Sequence, residues 1–306
     1  MPRNDRKPAV TSANLLCFIA MFMWAIGFPA ADVLLQSWGP ISLISIRQVL
    51  GVIPLLLIWI LLDGWRPVLL APWRRGLGIG GLGFGVGAIL LLVGQQLSDP
   101  ITPAVAAAMM PVAGAILEVF FDNRRLTQRL MLSITFVLLG GYLATGMKSE
   151  QSDFGLGALL CLLAVFLFAW ATRITTHQFP GLSTIGKTTI TLVGGTVFIW
   201  LTYVFYFIGG LSGVQIGTVN PHSIIMLLVF SVASLGLAQF LWIWGASGFG
   251  ILIASFHMNA VPFYVMVVMV VFFGDEWSWL QTAGALLVAI GVLLSQQPKQ
   301  KRVNDQ

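Results

Sequence analysis

The run ILIASFHMNAVPFYVMVVMVVFFGDEWSWLQTAGALLVAIGVLL, from Ile251 to Leu294, decides the fold. Two long apolar segments flank Gly274–Trp279, which holds Asp275, Glu276 and two tryptophans. Each segment is long enough to cross about 30 Å of hydrocarbon at 1.5 Å per residue. Pro262 lies near the middle of the first segment. Gly284 and Gly291, seven apart, share one face of the second. The pattern predicts a helical hairpin in a bilayer with its turn at one surface.

Composition carries that reading to the whole chain. Of 306 residues, 58% are hydrophobic and 9% charged, against about 25% charged in a soluble domain. No core of this size hides that much apolar surface from water, so the solvent is lipid. The net charge of +5 comes from residues in short loops between apolar runs, so no nucleic-acid partner is expected. Cys17 and Cys161 lie inside apolar runs and read as small buried hydrophobes. The first run, behind Arg3, Arg6 and Lys7, reads as a signal anchor kept as the first helix, because further spans follow it.

Apolar periodicity predicts an all-α integral membrane protein with ten spans: 13–35, 40–62, 76–94, 100–121, 127–146, 154–177, 184–208, 223–244, 249–272 and 279–295. Arginine and lysine set the orientation. Arg3, Arg6, Lys7, Arg66, Arg74, Arg75, Arg124, Arg125, Arg129, Arg173, Lys187, Lys299, Lys301 and Arg302 fall on one side. Lys148 falls on the other, and Arg47 lies within the second span. Both termini are therefore expected in the cytoplasm. GASG at 245–248 reads as an uncharged turn.

The two halves resemble each other. Pro111 and Pro262 are 151 apart, Phe120 and Phe272 begin Phe-Phe pairs 152 apart, and Gly140 and Gly291 are again 151 apart. Trp24-Ala25 has a counterpart in Trp170-Ala171. Five spans per copy is odd, so the second copy must insert upside down. The boundaries are 1–148 and 149–306, two five-helix repeats in one integrated membrane domain. Inverted repeats around a midplane site are a transporter signature.

At this point a resemblance is visible. FFGDEWSWLQTAGALLVAIGVLL resembles the closing hairpin of EamA repeats in the drug/metabolite transporter superfamily, and MWAIGFPAADVLLQSWGPISLISIRQVL resembles their opening. The first copy departs from the pattern, with Asp122-Asn123-Arg124 where an acidic turn is usual. The resemblance implies a carrier of the bacterial inner membrane that exports amino acids, aromatic ones first, or related small metabolites. A multidrug or cationic-compound exporter of the same superfamily is the alternative.

Several residues could serve a transport site. Trp24 falls near the middle of its span, where an interface anchor does not belong, with Phe28 four residues on. Met110 and its neighbour Met109 offer adaptable walls beside Pro111. Pro111 and Pro262 would free the carbonyls of Ala107 and Met258. Gln239 and Trp242 share a face, as do His257 and Tyr264, with Asn259 on another. Buried polar groups at this depth are costly unless satisfied or functional. Each of these residues could equally serve packing. The eight glycines between 76 and 94 fit either close helix contact or a bending, cavity-lining helix. Arg47 must find a partner, either Asp32 across the Gly39-Pro40 turn or a substrate carboxylate.

Enzyme chemistry is thin. HExxH, a phosphate loop and thiol clusters do not occur, so no cofactor, metal or ATP is expected, and transport is passive or gradient-driven. GASG with Ser247 and the later His257 imitate an intramembrane protease, a remote alternative. The expected partners are the bilayer and a small molecule, with the chain working as a monomer.

Overall fold

The computed structural model describes residues 8–121, 127–144, 154–249 and 256–295. The cations Arg3, Arg6, Lys7, Arg124, Arg125, Lys148, Lys299, Lys301 and Arg302, the Asp122-Asn123 turn, the 148/149 repeat boundary and the Ile251–Ser255 start of the quoted run lie outside the described residues. Among those described, every regular element is helical.

Helix α1 is Val10–Leu35, α2 is Pro40–Asp63 and α3 is Trp73–Gln96. Helix α4 is the pair Ile101–Ala108 and Met110–Phe121, inclined at 44° to one another, and α5 is Gln128–Ala144. Helices α6 and α7 are Phe154–Gln178 and Thr184–Ile208. Then come α8, Pro221–Gly248, α9, His257–Phe273, and α10, Trp279–Leu294. A short helix, Trp65–Leu69, sits between α2 and α3. Six helices (α1, α2, α3, α6, α7, α8) are long and apolar enough to cross a membrane, and α4 makes a seventh if its halves count as one span. Helices α5, α9 and α10 are apolar but shorter. The chain is thus a multi-pass membrane protein.

Small residues set how the helices meet. A Cβ built on Gly245 would stand 2.6 Å from the Cys17 Sγ, and one on Gly248 would stand 2.7 Å from the Ala13 Cβ. Gly27 likewise presses on the Ser234 side chain, so α1 and α8 run antiparallel. Helices α3 and α6 pair the same way: Gly83 lies on Ala171, Gly87 on Phe168 and Gly94 on Cys161, again 2.6 Å from Sγ. Helices α5 and α10 are antiparallel too, through Gly140 on Gly284 and Gly291 on Val137, with the Ser133 hydroxyl donating to the Gly291 carbonyl at 2.6 Å. By contrast α3 and α7 run parallel (Gly76 on Ile190, Gly81 on Phe198), as do α2 and α8. Both cysteines are therefore contact points for a glycine of a facing helix, buried as small hydrophobes.

Each prediction about breaks meets a different local geometry. Helix α3 carries a π-helical stretch, Gly80–Gly85, and α8 carries another, Val229–Leu237. The α4 break centres on Met109, whose N–H turns back to the Ala106 carbonyl at 2.9 Å. The Ala107 carbonyl, expected to be left open by Pro111, is taken up by a cap N–H instead. Pro262 does not kink a helix interior. It occupies the first turn of an α-helix that follows a 3₁₀ turn, Phe256–Ala260, where its missing N–H costs nothing. GASG at 245–248 is not a turn but the last part of α8. Gly274, at φ 75°, closes α9 in the left-handed region, with the Asp275 N–H donating to the Met269 carbonyl at 3.2 Å.

The connections gather at two ends. At one end the α7–α8 loop caps α2: Ile41 N–H donates to the Gly213 carbonyl, and Gly39 N–H and the Ser42 hydroxyl to the Gln215 carbonyl. Asp32, Asp99 and Asp275 lie near enough to interact there. At the other end the α2–α3 and α6–α7 connections meet.

Candidate functional site

Helices α1, α4 and α9 share one apolar cluster, built from Met21, Ala25 and Phe28 of α1, Val105 and Met109 of α4, and Val265 of α9 among others. Along its border lie Trp24, Trp242 of α8, and Tyr264. Trp24 is the last residue but one of the first part of α1, which is interrupted at Ile26 and resumes at Gly27. Pro29 accounts for the interruption, because it has no N–H to offer Ala25 four residues back. The Trp24 ring meets Phe28 edge-on at 5.5 Å, and Phe28 itself is buried. Trp242 also covers Cys17 and Ala246.

Not all the expected residues converge. Tyr264 sets its ring edge-on against Phe18 and Phe22, at 5.4 and 5.8 Å. At 100° per residue those two lie roughly 120–160° around α1 from Trp24, on an arc that also exposes Leu15 and Ile19. Tyr264 and Trp24 therefore sit on different sides of α1. Met110 turns toward α6, against Ala113, Cys161 and Val165, while Met109 enters the α1–α9 cluster. Pro111 and Gln239 are half-buried. His257 and Asn259 are half-buried in the 3₁₀ turn that opens α9, and Pro262 is buried one turn on.

Asn259 is chemically the most informative of these. Its Oδ1 is buried and has no hydrogen-bond partner among the described residues. Such a group costs about 1–3 kcal/mol and marks a place for an absent partner. Its neighbour Met258 packs against the apolar cluster that Trp24, Trp242 and Met266 also join, and such aromatic and sulfur-bearing surfaces adapt to a flat apolar ligand.

Arg47 is not paired with Asp32. Its Nε donates to the Phe230 carbonyl at 3.0 Å, and its guanidinium lies 4.4 Å from the centre of the Phe230 ring. The expected Asp32–Arg47 pair does not form: Asp32 feels Asp99 and Asp275 instead. Phe230 belongs to the π-helical stretch of α8, where the backbone bonds run i→i+5 in place of i→i+4. The Phe230 carbonyl also accepts from the Ser234 hydroxyl at 2.7 Å. A backbone carbonyl of α8 engages the Nε of the arginine.

Two further polar side chains escaped the sequence reading. Gln95 is buried and donates through Nε2 to the Phe28 carbonyl at 2.6 Å, tying the end of α3 to α1 just past its interruption. Gln48 is buried with an Oε1 that has no partner among the described residues. Their signal was a glutamine inside an apolar run. Ser247, the protease-like serine, is exposed and donates to the Trp244 carbonyl at 2.7 Å, a back-bond within its own helix.

No curated protein matches the chain. A solved structure titled "Crystal structure of protein" shares the fold, with a TM-score of 0.65 at 16% identity over 93% of this chain and 96% of that one. Residues 11–146, from the start of α1 to just past α5, match the model of the EamA-like transporter family.

Proposed function

We propose that the chain is a secondary transporter that exports amino acids, aromatic ones favoured, or related small metabolites across the bacterial inner membrane by alternating access. The observation that carries this reading is the match of residues 11–146 to the EamA-like transporter family. The finer resemblance, to the aromatic amino acid exporter YddG, supplies the substrate class. The substrate would lie against Trp24, Phe28 and Trp242, with the Asn259 amide meeting its ammonium or amide group and His257 beside it. Met110, Pro111, Gln239 and Pro262 would shape the walls. Arg47 and Tyr264 stand further off, Arg47 because its Nε is already engaged and Tyr264 because it faces Phe18 and Phe22.

The proposal includes ten crossings in two inverted copies, with both termini cytoplasmic. Three observations support it. The helix directions alternate as ten crossings require: odd pairs with odd (α3 with α7) and even with even (α2 with α8) run parallel, while mixed pairs run antiparallel. The Cys17–Gly245 contact is matched by Cys161–Gly94, as one copy is matched by the other. The π stretches fall in α3 and α8, and the breaks fall in α4 and α9. The chain works as a monomer, without cofactor or enzymatic step.

The test is purified protein in liposomes with a panel of labelled amino acids. Saturable uptake of aromatic amino acids, competed by unlabelled ones, is the expected result. Transport of hydrophobic cations with no amino-acid uptake would replace this reading with the multidrug one, and peptide cleavage lost in Ser247→Ala would replace both with a protease.

A further inference from the structure

A cavity of about 350 Å³ opens at the end of the bundle where the α2–α3 and α6–α7 connections meet. Pro67, Leu70 and Pro72 wall it from the first connection, and Phe179 and Leu182 from the second. Arg75 and Gln178 supply its polar edge. The walls are held in place. The Trp59 indole N–H donates to Asp63 Oδ2 at 3.1 Å, and the Ser183 hydroxyl donates to the same oxygen, joining α2 to the start of α7. The Trp73 indole N–H donates to the Val68 carbonyl at 2.9 Å. Phe179 is buried beneath the cavity.

Its rim does not suit water alone. Trp65, Leu69 and Leu70 are 60, 66 and 84% exposed on the short helix and the residue after it. Leucines left bare at the end of a membrane span, next to a tryptophan, belong at the boundary between acyl chains and headgroups. Arg66, Arg74 and Arg75 are exposed around them. The acid of this corner, Asp63, is committed to Trp59 and Ser183. The cavity thus combines apolar walls, a guanidinium, an amide and a local excess of positive charge.

We propose that it seats the headgroup of an anionic phospholipid, with the phosphate against Arg75, headgroup oxygens against the Gln178 amide, and the acyl chains over Leu69 and Leu70. A phosphate diester is the anion present at this depth, and a guanidinium binds it in a fixed, forked geometry. Basic pockets between membrane helices are suited to such headgroups. The inference rests on this end of the bundle lying at a membrane surface, and not on the transport substrate.

Delipidated protein in neutral detergent is unfolded thermally with added dioctanoylphosphatidylglycerol, dioctanoylphosphatidylcholine or inorganic phosphate. The phosphatidylglycerol should raise the midpoint saturably, and the other two should not. Arg75→Gln should weaken that effect about fivefold, the change that about 1 kcal/mol per near-surface cation corresponds to. Arg74→Gln, which removes the same charge outside the cavity, should weaken it less. Equal stabilisation by phosphatidylcholine would overturn the charge argument, and by inorganic phosphate alone the lipid. Equal loss in the two arginine variants would reduce the site to a diffuse surface field. Transport is not read in this assay, so it can fail while the transport proposal stands, and the reverse.

Discussion

Two glycines of α3, two residues apart, should respond oppositely to the same methyl group. A Cβ on Gly80 would overlap the Thr191 carbonyl oxygen, and would stand 2.8 Å from its carbon and 3.0 Å from Gly194 Cα, all backbone of α7. Ordinary contact begins at 3.4 Å, so α7 must withdraw by about 0.6 Å at that carbon and more at the oxygen. Rotamer changes cannot absorb this, because the obstacle is main chain in the middle of a helix. Withdrawal also opens the contacts of Gly76, Gly85 and Gly194 along the same seam. Overpacking of this kind costs about 1–3 kcal/mol, and a gap of 0.5–1 Å forfeits a quarter to a half of each dispersion contact. At Gly78 a Cβ meets nothing within 4 Å, so Gly78→Ala gains up to about 1 kcal/mol of helix propensity. The propensity gain is common to both variants, so they should differ by the overpacking, about 1–3 kcal/mol, or roughly 2–12 °C in unfolding midpoint at 2–4 °C per kcal/mol. Differential scanning fluorimetry of both variants in one detergent at one scan rate reads the difference. Equal midpoints would show that α3 and α7 are not in backbone contact, and the packing reading of the α3 glycines would fall with it.

Trp24→Ala and His257→Ala should lower liposome transport at least tenfold with expression and midpoint near wild type; unchanged transport in both would remove the proposed site. Asp32→Asn should leave stability within about 0.5 kcal/mol, because no pair with Arg47 is lost, whereas Arg47→Gln should cost about 1.5–3 kcal/mol for the charged hydrogen bond to the Phe230 carbonyl; thermal midpoints decide, and full transport by Arg47→Gln would end any role for it on substrate. A cysteine replacing Glu276 should label only from outside the cell, and labelling from the cytoplasm alone would refute the inverted copies. An imposed pH gradient should not drive uphill accumulation, since the carboxylates of α1 and α4, Asp32 and Glu118, lie toward the ends of their helices; accumulation against the gradient of substrate would show proton coupling.

The helices were largely legible, and the places where they deform were not. Apolar runs bounded by Gly39-Pro40, Asp63-Gly64 or Gly274 predict helix ends to within a few residues, because lipid leaves the backbone no alternative to a helix. What such a run cannot carry is its hydrogen-bond register. The π stretches at Gly80–Gly85 and Val229–Leu237 and the 3₁₀ turn at Phe256–Ala260 arise where neighbouring helices impose a fit. GASG looks like a turn because two glycines usually mean one. Here both are small so that α8 can lie on Cys17 and Ala13.

The same limit governs the candidate site. Sequence reasoning seeks a charged partner for a charge, and so paired Arg47 with Asp32. The actual partner is a main-chain oxygen 183 residues away, which no side-chain pattern can announce. Gln95 repeats the case, donating to the Phe28 carbonyl 67 residues away. Both bonds end on a main-chain carbonyl of a facing helix, Phe230 in the π stretch of α8 and Phe28 just past the interruption of α1. A buried polar donor in an apolar run can thus be satisfied by the main chain of a neighbour. By that logic Gln48, buried with Oε1 unmatched among the described residues, and Asn259, likewise unmatched, differ from Arg47 and Gln95 in kind. Their open atoms are acceptors, which a backbone carbonyl cannot serve. Asn259 lies beside the aromatic cluster of α1, α4, α8 and α9, and a ligand carrying N–H donors would supply what it lacks.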